Sequence, residues 1–173
     1  MVEIRPLRHH DIEPIANAFA EIGWDKPASQ YEGYLSEQGT GQRLVLVATI
    51  KGIFAGYLTI VWKSSYPPFR ELGIPEIVDF NVLPKFQRQG IGTQLMDAAE
   101  EKIAGRSSIA GIGVGLTRDY GAAHILYIRR GYIPDGQGIS WNDKFCQYED
   151  QVIVDDTLKI CFTKQLSKHK TSG

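Results

Sequence analysis

The alternation of apolar and polar positions along the chain predicts short strands interleaved with amphipathic helices. Runs rich in β-branched and other apolar residues predict strands at residues 2–5, 43–50, 53–62, 76–83, 109–116 and 158–163. Apolar residues at helical spacing predict helices that begin near Ile12, Ala28, Ile91 and Asp119. The resulting order, β-α-α-β-β-β-α-β-α-β, indicates a mixed α/β (α+β) fold.

Turn-forming residues mark the limits of several elements. Asp11 is predicted to cap the first helix, and Gly23 is predicted to end it. The dipeptide Lys51-Gly52 separates two apolar runs and predicts a hairpin.

The segments between the predicted elements are interpreted as loops. Residues 64–75, which include three prolines, form one such loop, and residues 133–140 form another. No linker divides the chain, so we expect a single domain over residues 1–166 followed by a flexible C-terminal tail, 167–173.

Composition excludes several classes of protein. Hydrophobic residues make up 43% of the chain and charged residues 23%, which is typical of a soluble globular protein. A formal net charge of -1 argues against a nucleic-acid partner, and no apolar run has the length of a membrane span. The two cysteines, Cys146 and Cys161, form no disulfide framework, so we expect a cytoplasmic protein.

Residues 76–102 are the most informative stretch, because they predict a strand, a tight turn and a helix. Gly90 and Gly92 lie where the helix starts, and glycine lets a ligand approach the backbone closely. The free N–H groups of a helix start favour an anion, and Arg88 could add a charge-assisted bond. The turn matches neither a P-loop nor the dinucleotide fingerprint, whose third glycine is here Leu95.

A second informative stretch leads to Gly131 and contains Tyr127. Helical spacing makes Ala123, Tyr127 and Arg130 neighbours on one face. Periodicity alone leaves Tyr127 either a half-buried core residue or a functional one. His124 has no second histidine at metal-ligand spacing, so no metal site is expected.

Both stretches resemble conserved patterns of the GNAT superfamily of N-acetyltransferases. Gln87-Arg88-Gln89-Gly90-Ile91-Gly92 is similar to its acyl-CoA-binding motif, Gln/Arg-x-x-Gly-x-Gly/Ala. Ala123-x-x-Leu126-Tyr127-x-x-x-Gly131-Tyr132 is similar to the pattern Asn-x-x-Ala-x-x-Leu-Tyr-x-x-x-Gly-Phe/Tyr. Tyr120 stands where that pattern has asparagine, a residue that often contacts the cofactor.

The resemblance implies a fold and a cosubstrate. The implied fold is a mixed, largely antiparallel central sheet of about six or seven strands flanked by four helices, with strands splayed at the acyl-CoA site. The implied cosubstrate is acetyl-CoA. Its expected contacts, mainly through the main chain, are Phe80, Val82, Leu83, Gln87, Arg88, Gln89, Gly90, Ile91, Gly92 and Thr93.

The implied reaction is direct acetyl transfer to an amine, which needs an acid and a base. Tyr127 is the candidate general acid, because a tyrosine hydroxyl is a neutral donor at pH 7 and can protonate the leaving sulfur. Glu76 lies where some members of the family carry a catalytic glutamate, and is the candidate base. The alternative is that Glu76 is an exposed strand-end carboxylate and that an ordered water relays the proton.

The acceptor is left open by the sequence. We expect a small-molecule amine and no membrane or nucleic-acid partner. The alternatives are a protein acetyltransferase acting on a lysine or N-terminal amine, and a catalytically silent acetyl-CoA-binding regulatory domain. The oligomeric state is equally open between a monomer and a homodimer.

Overall fold

Eight strands and five α-helices form within residues 1–167, the part of the chain that the computed structural model describes. In chain order they are β1 (Val2–Pro6), α1 (Ile12–Glu21), α2 (Ala28–Gly39), β2 (Arg43–Ile50), β3 (Ile53–Val61), α3 (Pro67–Leu72), β4 (Glu76–Val82), α4 (Ile91–Ala104), β5 (Ile109–Gly115), α5 (Gly121–Arg129), β6 (Ile133–Trp141), β7 (Lys144–Phe145) and β8 (Leu158–Gln165). The strand pairings are mostly antiparallel, as predicted. All but the first residue of the predicted tail lies outside the described residues.

Two compact units share these elements. Residues 1–62 and 77–102 make up the first unit. The second unit consists of residues 63–76 and of the chain from residue 103 onward. The two additional strands and the additional helix, relative to the expectation, come from α3, β6 and β7 of the second unit.

In the first unit the strands follow the order β1-β2-β3-β4. The predicted hairpin is confirmed, with Leu46 paired to Leu58 across β2 and β3. Most residues of both strands are buried, which explains why each strand is a nearly continuous apolar run in the sequence. Phe19 of α1, Tyr31 of α2 and Tyr57 of β3 are completely buried in the core that these elements enclose.

In the second unit the strands follow the order β5-β8-β6-β7. Gly113 of β5 pairs with Cys161 of β8 in an antiparallel register. A small core forms where α3 packs, and its buried members are Tyr66, Phe69, Ile74 and Cys161.

The interpretation of residues 64–75 as a loop was wrong in part, because α3 lies within them. Pro67 and Pro68 occupy its first turn, where a helix has no use for the N–H that proline lacks. Gly73, with a φ of 64°, ends the helix in the left-handed conformation. The prolines that suggested irregular structure therefore begin a helix.

The interpretation of residues 133–140 as a loop was also wrong, because they form most of β6. The register against β8 shifts between Pro134 and Ile139. Gly136 and Gly138, which both have positive φ angles, lie in that interruption. Gly136 and Gly138 thus interrupt the pairing of β6 locally, and the pairing with β8 resumes at Ile139.

Asp11 does not cap α1 in the predicted manner. Its carboxylate instead accepts a bond from the backbone N–H of Arg8 (2.8 Å) and two from the guanidinium of Arg5, each of 2.7 Å. Burial would raise the pKa of Asp11, but the bonds from Arg5 and Arg8 outweigh it and hold the pKa below its usual value. Asp11 therefore links β1 to the short 3-10 turn His9–Asp11 that precedes the helix.

Within residues 1–167, no helix combines the length and the apolar character needed to cross a bilayer. Over that same range, no group of three or more His, Cys, Asp and Glu side chains could hold a metal ion.

Candidate active site

The turn between β4 and α4 presents main-chain donors at the surface. Gly90 has a φ of 77°, a left-handed conformation that glycine adopts without strain. Its carbonyl accepts the N–H of Gln94 at 3.0 Å, so the helix begins there. The N–H groups of Ile91, Gly92 and Thr93 belong to this first turn, where the helix dipole is positive. The backbone of this turn therefore has the free donors on which the predicted anion site depends.

The side chains of this turn differ in their exposure. Arg88 and Gln89 are exposed, whereas Ile91 is 1% exposed and can offer a ligand only its main chain. A Cβ built on Gly90 would meet no atom of the described residues within 4 Å. The space in front of the turn is open to a ligand.

Some polar groups of the segment that leads into the turn already have hydrogen-bond partners within the protein. The side-chain amide of Gln87 donates to the carbonyl of Val82 at 3.1 Å. Leu83, which is 2% exposed, donates its N–H to Ala55 and accepts the N–H of Phe86. The ring of Phe80 lies 3.2 Å from where a Cβ on Gly92 would be, so only glycine fits there without moving the ring.

Tyr127 lies on α5 in the second unit and is 5% exposed. Its ring packs edge-on against Tyr132, with the centroids 6.0 Å apart. Burial raises the pKa of Tyr127, and the nearby Tyr120 hydroxyl adds to the effect. The hydroxyl of Tyr127 is therefore a neutral donor throughout the physiological pH range.

Tyr120, which replaces the usual asparagine, packs beside β5. Its ring carbons lie 2.5–2.7 Å from where a Cβ on Gly115 would be, and its hydroxyl donates to Asp156 at 3.0 Å. The Nε2 atom of His124 lies 2.9 Å from the carbonyl oxygen of Gly115. His124 is therefore hydrogen-bonded to the backbone of β5.

Glu76 is buried, with 3% of its surface exposed. It accepts a hydrogen bond from the hydroxyl of Ser64, and its other oxygen lies 3.7 Å from the ammonium of Lys159. The same ammonium lies 2.8 Å from Asp143. Burial alone would lower the pKa of Lys159, but Glu76 and Asp143 outweigh it and raise the pKa. The alternative of an exposed strand-end carboxylate is therefore wrong.

The glycines of β5 make room for side chains of the second unit. A Cβ on Gly111 would lie 2.5 Å from the ring of Phe69, and one on Gly113 would lie 2.8 Å from the stem of Lys159. Gly111, Gly113 and Gly115 leave one face of β5 without side chains of its own. Within the described residues it admits aromatic rings and the lysine that reaches Glu76.

Asp79 lies in the middle of β4, and no sequence pattern predicted a role for it. Its carboxylate accepts bonds from Lys26 (2.7 Å), Tyr34 (2.9 Å) and the hydroxyl of Tyr57. Burial would raise the pKa of Asp79, but the Lys26 ammonium and the hydroxyl donors outweigh it and hold the pKa below its usual value. A carboxylate directly between two apolar residues, Val78 and Phe80, was the sequence signal that could have drawn attention to it.

Comparison with known families and structures identifies the fold. The model of the acetyltransferase (GNAT) domain matches residues 38–134, which include both the glycine turn and Tyr127. A structure of the GNAT family from Desulfovibrio desulfuricans superposes with a TM-score of 0.71 at 16% identity, covering 96% of this chain and 100% of that one.

Two further structures that contain the cofactor have the same fold. PaiA N-acetyltransferase from Thermoplasma acidophilum, in complex with coenzyme A, gives a TM-score of 0.65 at 14% identity, covering 95% of this chain and 99% of its own. YncA from Salmonella typhimurium, with its cofactor acetyl-CoA, gives a TM-score of 0.68 at 18% identity, covering 99% of this chain and 98% of its own. No curated protein sequence matches. Because the family model spans more than half of the sequence, this chain belongs to the GNAT acetyltransferase family.

Proposed function

We propose that this protein transfers the acetyl group of acetyl-CoA directly to a primary amine of a small molecule, with Tyr127 as general acid. Family membership supports acetyl transfer. The observation that supports Tyr127 as the general acid is its burial, which raises its pKa and keeps its hydroxyl protonated.

The first unit provides the cofactor's binding groups. The N–H groups of Ile91, Gly92 and Thr93, with the exposed Arg88, suit the diphosphate, and the space before Gly90 is open. Gln87 and Gln89 flank the same turn. Phe80, Val82 and Leu83 of the preceding strand would contact the pantetheine arm, chiefly through main-chain groups. A strand N–H aimed at the thioester carbonyl would stabilise the charge that develops on its oxygen.

The second unit provides the acid. As the amine nitrogen bonds to the acetyl carbon and the carbon–sulfur bond breaks, the Tyr127 hydroxyl gives its proton to the sulfur. A buried hydroxyl that stays neutral can make this transfer at any pH at which the amine can react.

The second unit also holds the candidate base. The amine must lose a proton, because its pKa is about 10 and it is mostly protonated at neutral pH. Glu76 would accept that proton, directly or through a water. Its hydrogen bond from Ser64 and its proximity to Lys159 orient the carboxylate.

The experiment is a panel of amines incubated with acetyl-CoA, in which release of the CoA thiol is followed. The panel contains polyamines, aminoglycosides, amino acids and a lysine peptide. We expect turnover with at least one small amine. Turnover of the peptide alone would indicate a protein acetyltransferase, and acetyl-CoA binding without turnover would indicate a regulatory domain.

A further inference from the structure

The ammonium of Lys26 lies in a cage of polar and aromatic groups in the first unit. Its Nζ is 2.7 Å from Oδ1 of Asp79 and 3.1 Å from the hydroxyl of Tyr57. It also lies 5.5 Å from the ring centroid of Phe19 and 5.7 Å from that of Tyr57. A carboxylate together with aromatic faces is an arrangement that binds organic ammonium groups.

The anionic part of this cage is held firmly in place. Besides the groups of Lys26 and Tyr57, the carboxylate of Asp79 accepts bonds from Tyr34 (2.9 Å), Gln30 (3.1 Å) and Asn81 (2.8 Å). Asp79 also has a φ of 51°, a left-handed conformation that residues other than glycine, asparagine and aspartate seldom adopt.

The cation of the cage comes from a connecting segment, whereas the anion comes from a strand. Lys26 lies on the connection between α1 and α2, outside any helix or strand. Its side chain is 18% exposed and that of Asp79 is 20% exposed, so the cage is reached from solvent. Another ammonium group could therefore take the place of Lys26 without a change in the sheet.

We propose that this cage is a subsite for a second, positively charged amine of the acceptor, with Lys26 occupying it until the acceptor displaces it. The inference rests on the proposed acetyl transfer to a small amine. It narrows the acceptor to alkyl diamines and longer polyamines. An acceptor with a carboxylate at that position would be repelled by Asp79. The cage belongs to β4, whose end at Val82 is the proposed contact of the pantetheine arm.

The first test measures binding in the absence of acetyl-CoA. Replacing Lys26 with alanine removes three methylene groups and the ammonium, which n-propylammonium replaces. We expect 50 mM n-propylammonium chloride to raise the thermal midpoint of Lys26→Ala by about 2–4 °C relative to equal NaCl. Wild type and the double variant Lys26→Ala/Asp79→Asn should not respond, nor should Lys26→Ala with neutral 1-propanol.

The second test measures specificity through the release of CoA thiol. In wild type, 1,4-diaminobutane should have a lower KM than n-butylamine, which has the same chain and one ammonium. Lys26→Ala removes the ammonium that competes for the cage, a contact comparable to one charged hydrogen bond, so the KM of the diamine should fall about tenfold. The KM of n-butylamine, which has no second ammonium, should change much less. Asp79→Asn should remove the difference between the two amines. Lys102→Ala, an exposed lysine of α4, is the control.

The outcomes separate the two proposals. If no amine of any kind is acetylated, the proposed function fails, whereas the thermal response of Lys26→Ala still tests the cage. No thermal response in a folded Lys26→Ala protein would overturn the subsite. Lys26→Ser, which vacates the same space, replaces Lys26→Ala if that variant does not fold. A thermal response combined with equal KM values for the two amines would overturn the assignment to the acceptor.

Discussion

The carboxylate of Glu76 and the ammonium of Lys159 lie 3.7 Å apart in the interior of the second unit, although 83 positions separate the two residues in the sequence (159 − 76). The stem of Lys159 reaches Glu76 across Gly113, whose missing side chain leaves the necessary space. The hydroxyl of Ser64 and the nearby ammonium hold the Glu76 carboxylate in one orientation.

Replacing Glu76 with glutamine tests its role as base. We expect kcat to fall about 10²-fold or more, because the amine loses its proton acceptor. The acidic limb of the pH–rate profile should change as well. Glu101→Gln, at an exposed position of α4, is the control. Superimposable profiles for wild type and Glu76→Gln would remove Glu76 from the mechanism and favour a water relay.

Replacing Tyr127 with phenylalanine tests the acid. We expect kcat to fall about 10²-fold, with little change in the affinity for acetyl-CoA, because only the proton to sulfur is lost. Since the pKa of Tyr127 is raised, ionisation of this hydroxyl should not cause a falling limb in the wild-type profile below about pH 10. Tyr148→Phe, at a fully exposed tyrosine, is the control. Unchanged turnover in Tyr127→Phe would contradict the assignment.

Replacing Gly90 with glutamate tests the diphosphate site. The new side chain adds bulk and negative charge in front of the N–H groups of α4, so calorimetry should show at least a tenfold loss of acetyl-CoA affinity, roughly the effect of one lost charge-assisted contact. The substitution also strains a backbone with a φ of 77°. Gly41→Glu imposes the same strain at a φ of 76° outside the turn, and separates the two effects. Equal affinity in wild type and Gly90→Glu would place the cofactor elsewhere.

Replacing Gly113 with alanine tests the packing that brings Lys159 to Glu76. The Cβ would lie 2.8 Å from Cδ of Lys159 and 3.4 Å from the carboxylate of Glu76, so we expect a loss of about 1–3 kcal/mol in the free energy of unfolding. Gly33→Ala, in α2, meets no atom of the described residues within 4 Å and should stabilise the protein by up to about 1 kcal/mol. Urea denaturation measures both, and a neutral Gly113→Ala would show that Lys159 can reach Glu76 by another path.

Replacing Asp79 with asparagine tests the cage through the pH dependence of stability. The folded state holds the pKa of Asp79 below its usual value, so its contribution is fully present above about pH 4 and is lost as the pH falls through the folded pKa. We expect Asp79→Asn to be less stable than wild type by about 1–3 kcal/mol at pH 7, and the gap to narrow in strongly acidic solution. Asp25→Asn, next to Lys26 and exposed, is the control. A gap that stays constant down to pH 2 would contradict an ionised Asp79.

Local patterns predicted the elements whose signals are contained in a few consecutive residues. The hairpin of β2 and β3 follows from two apolar runs around Lys51-Gly52, and α4 follows from its helical repeat. Local patterns gave the wrong prediction where a proline or glycine can either end an element or form part of one. Pro67 begins α3, and Gly136 lies in the interruption of β6, and in both cases pairing or packing with distant residues decides the outcome.

The family, the glycine turn at the start of α4 and the candidate role of Tyr127 could all be predicted from the chain alone, because each depends on residues close together in the sequence. Three features became visible only in the folded molecule: Glu76 is buried beside Lys159, side chains fill the glycine face of β5, and Asp79 holds the ammonium of Lys26. Lys26 and Asp79 are 53 positions apart, and no periodicity relates such residues. Their meeting depends on how strands and helices pack, which is set by the burial of the whole core rather than by any single stretch.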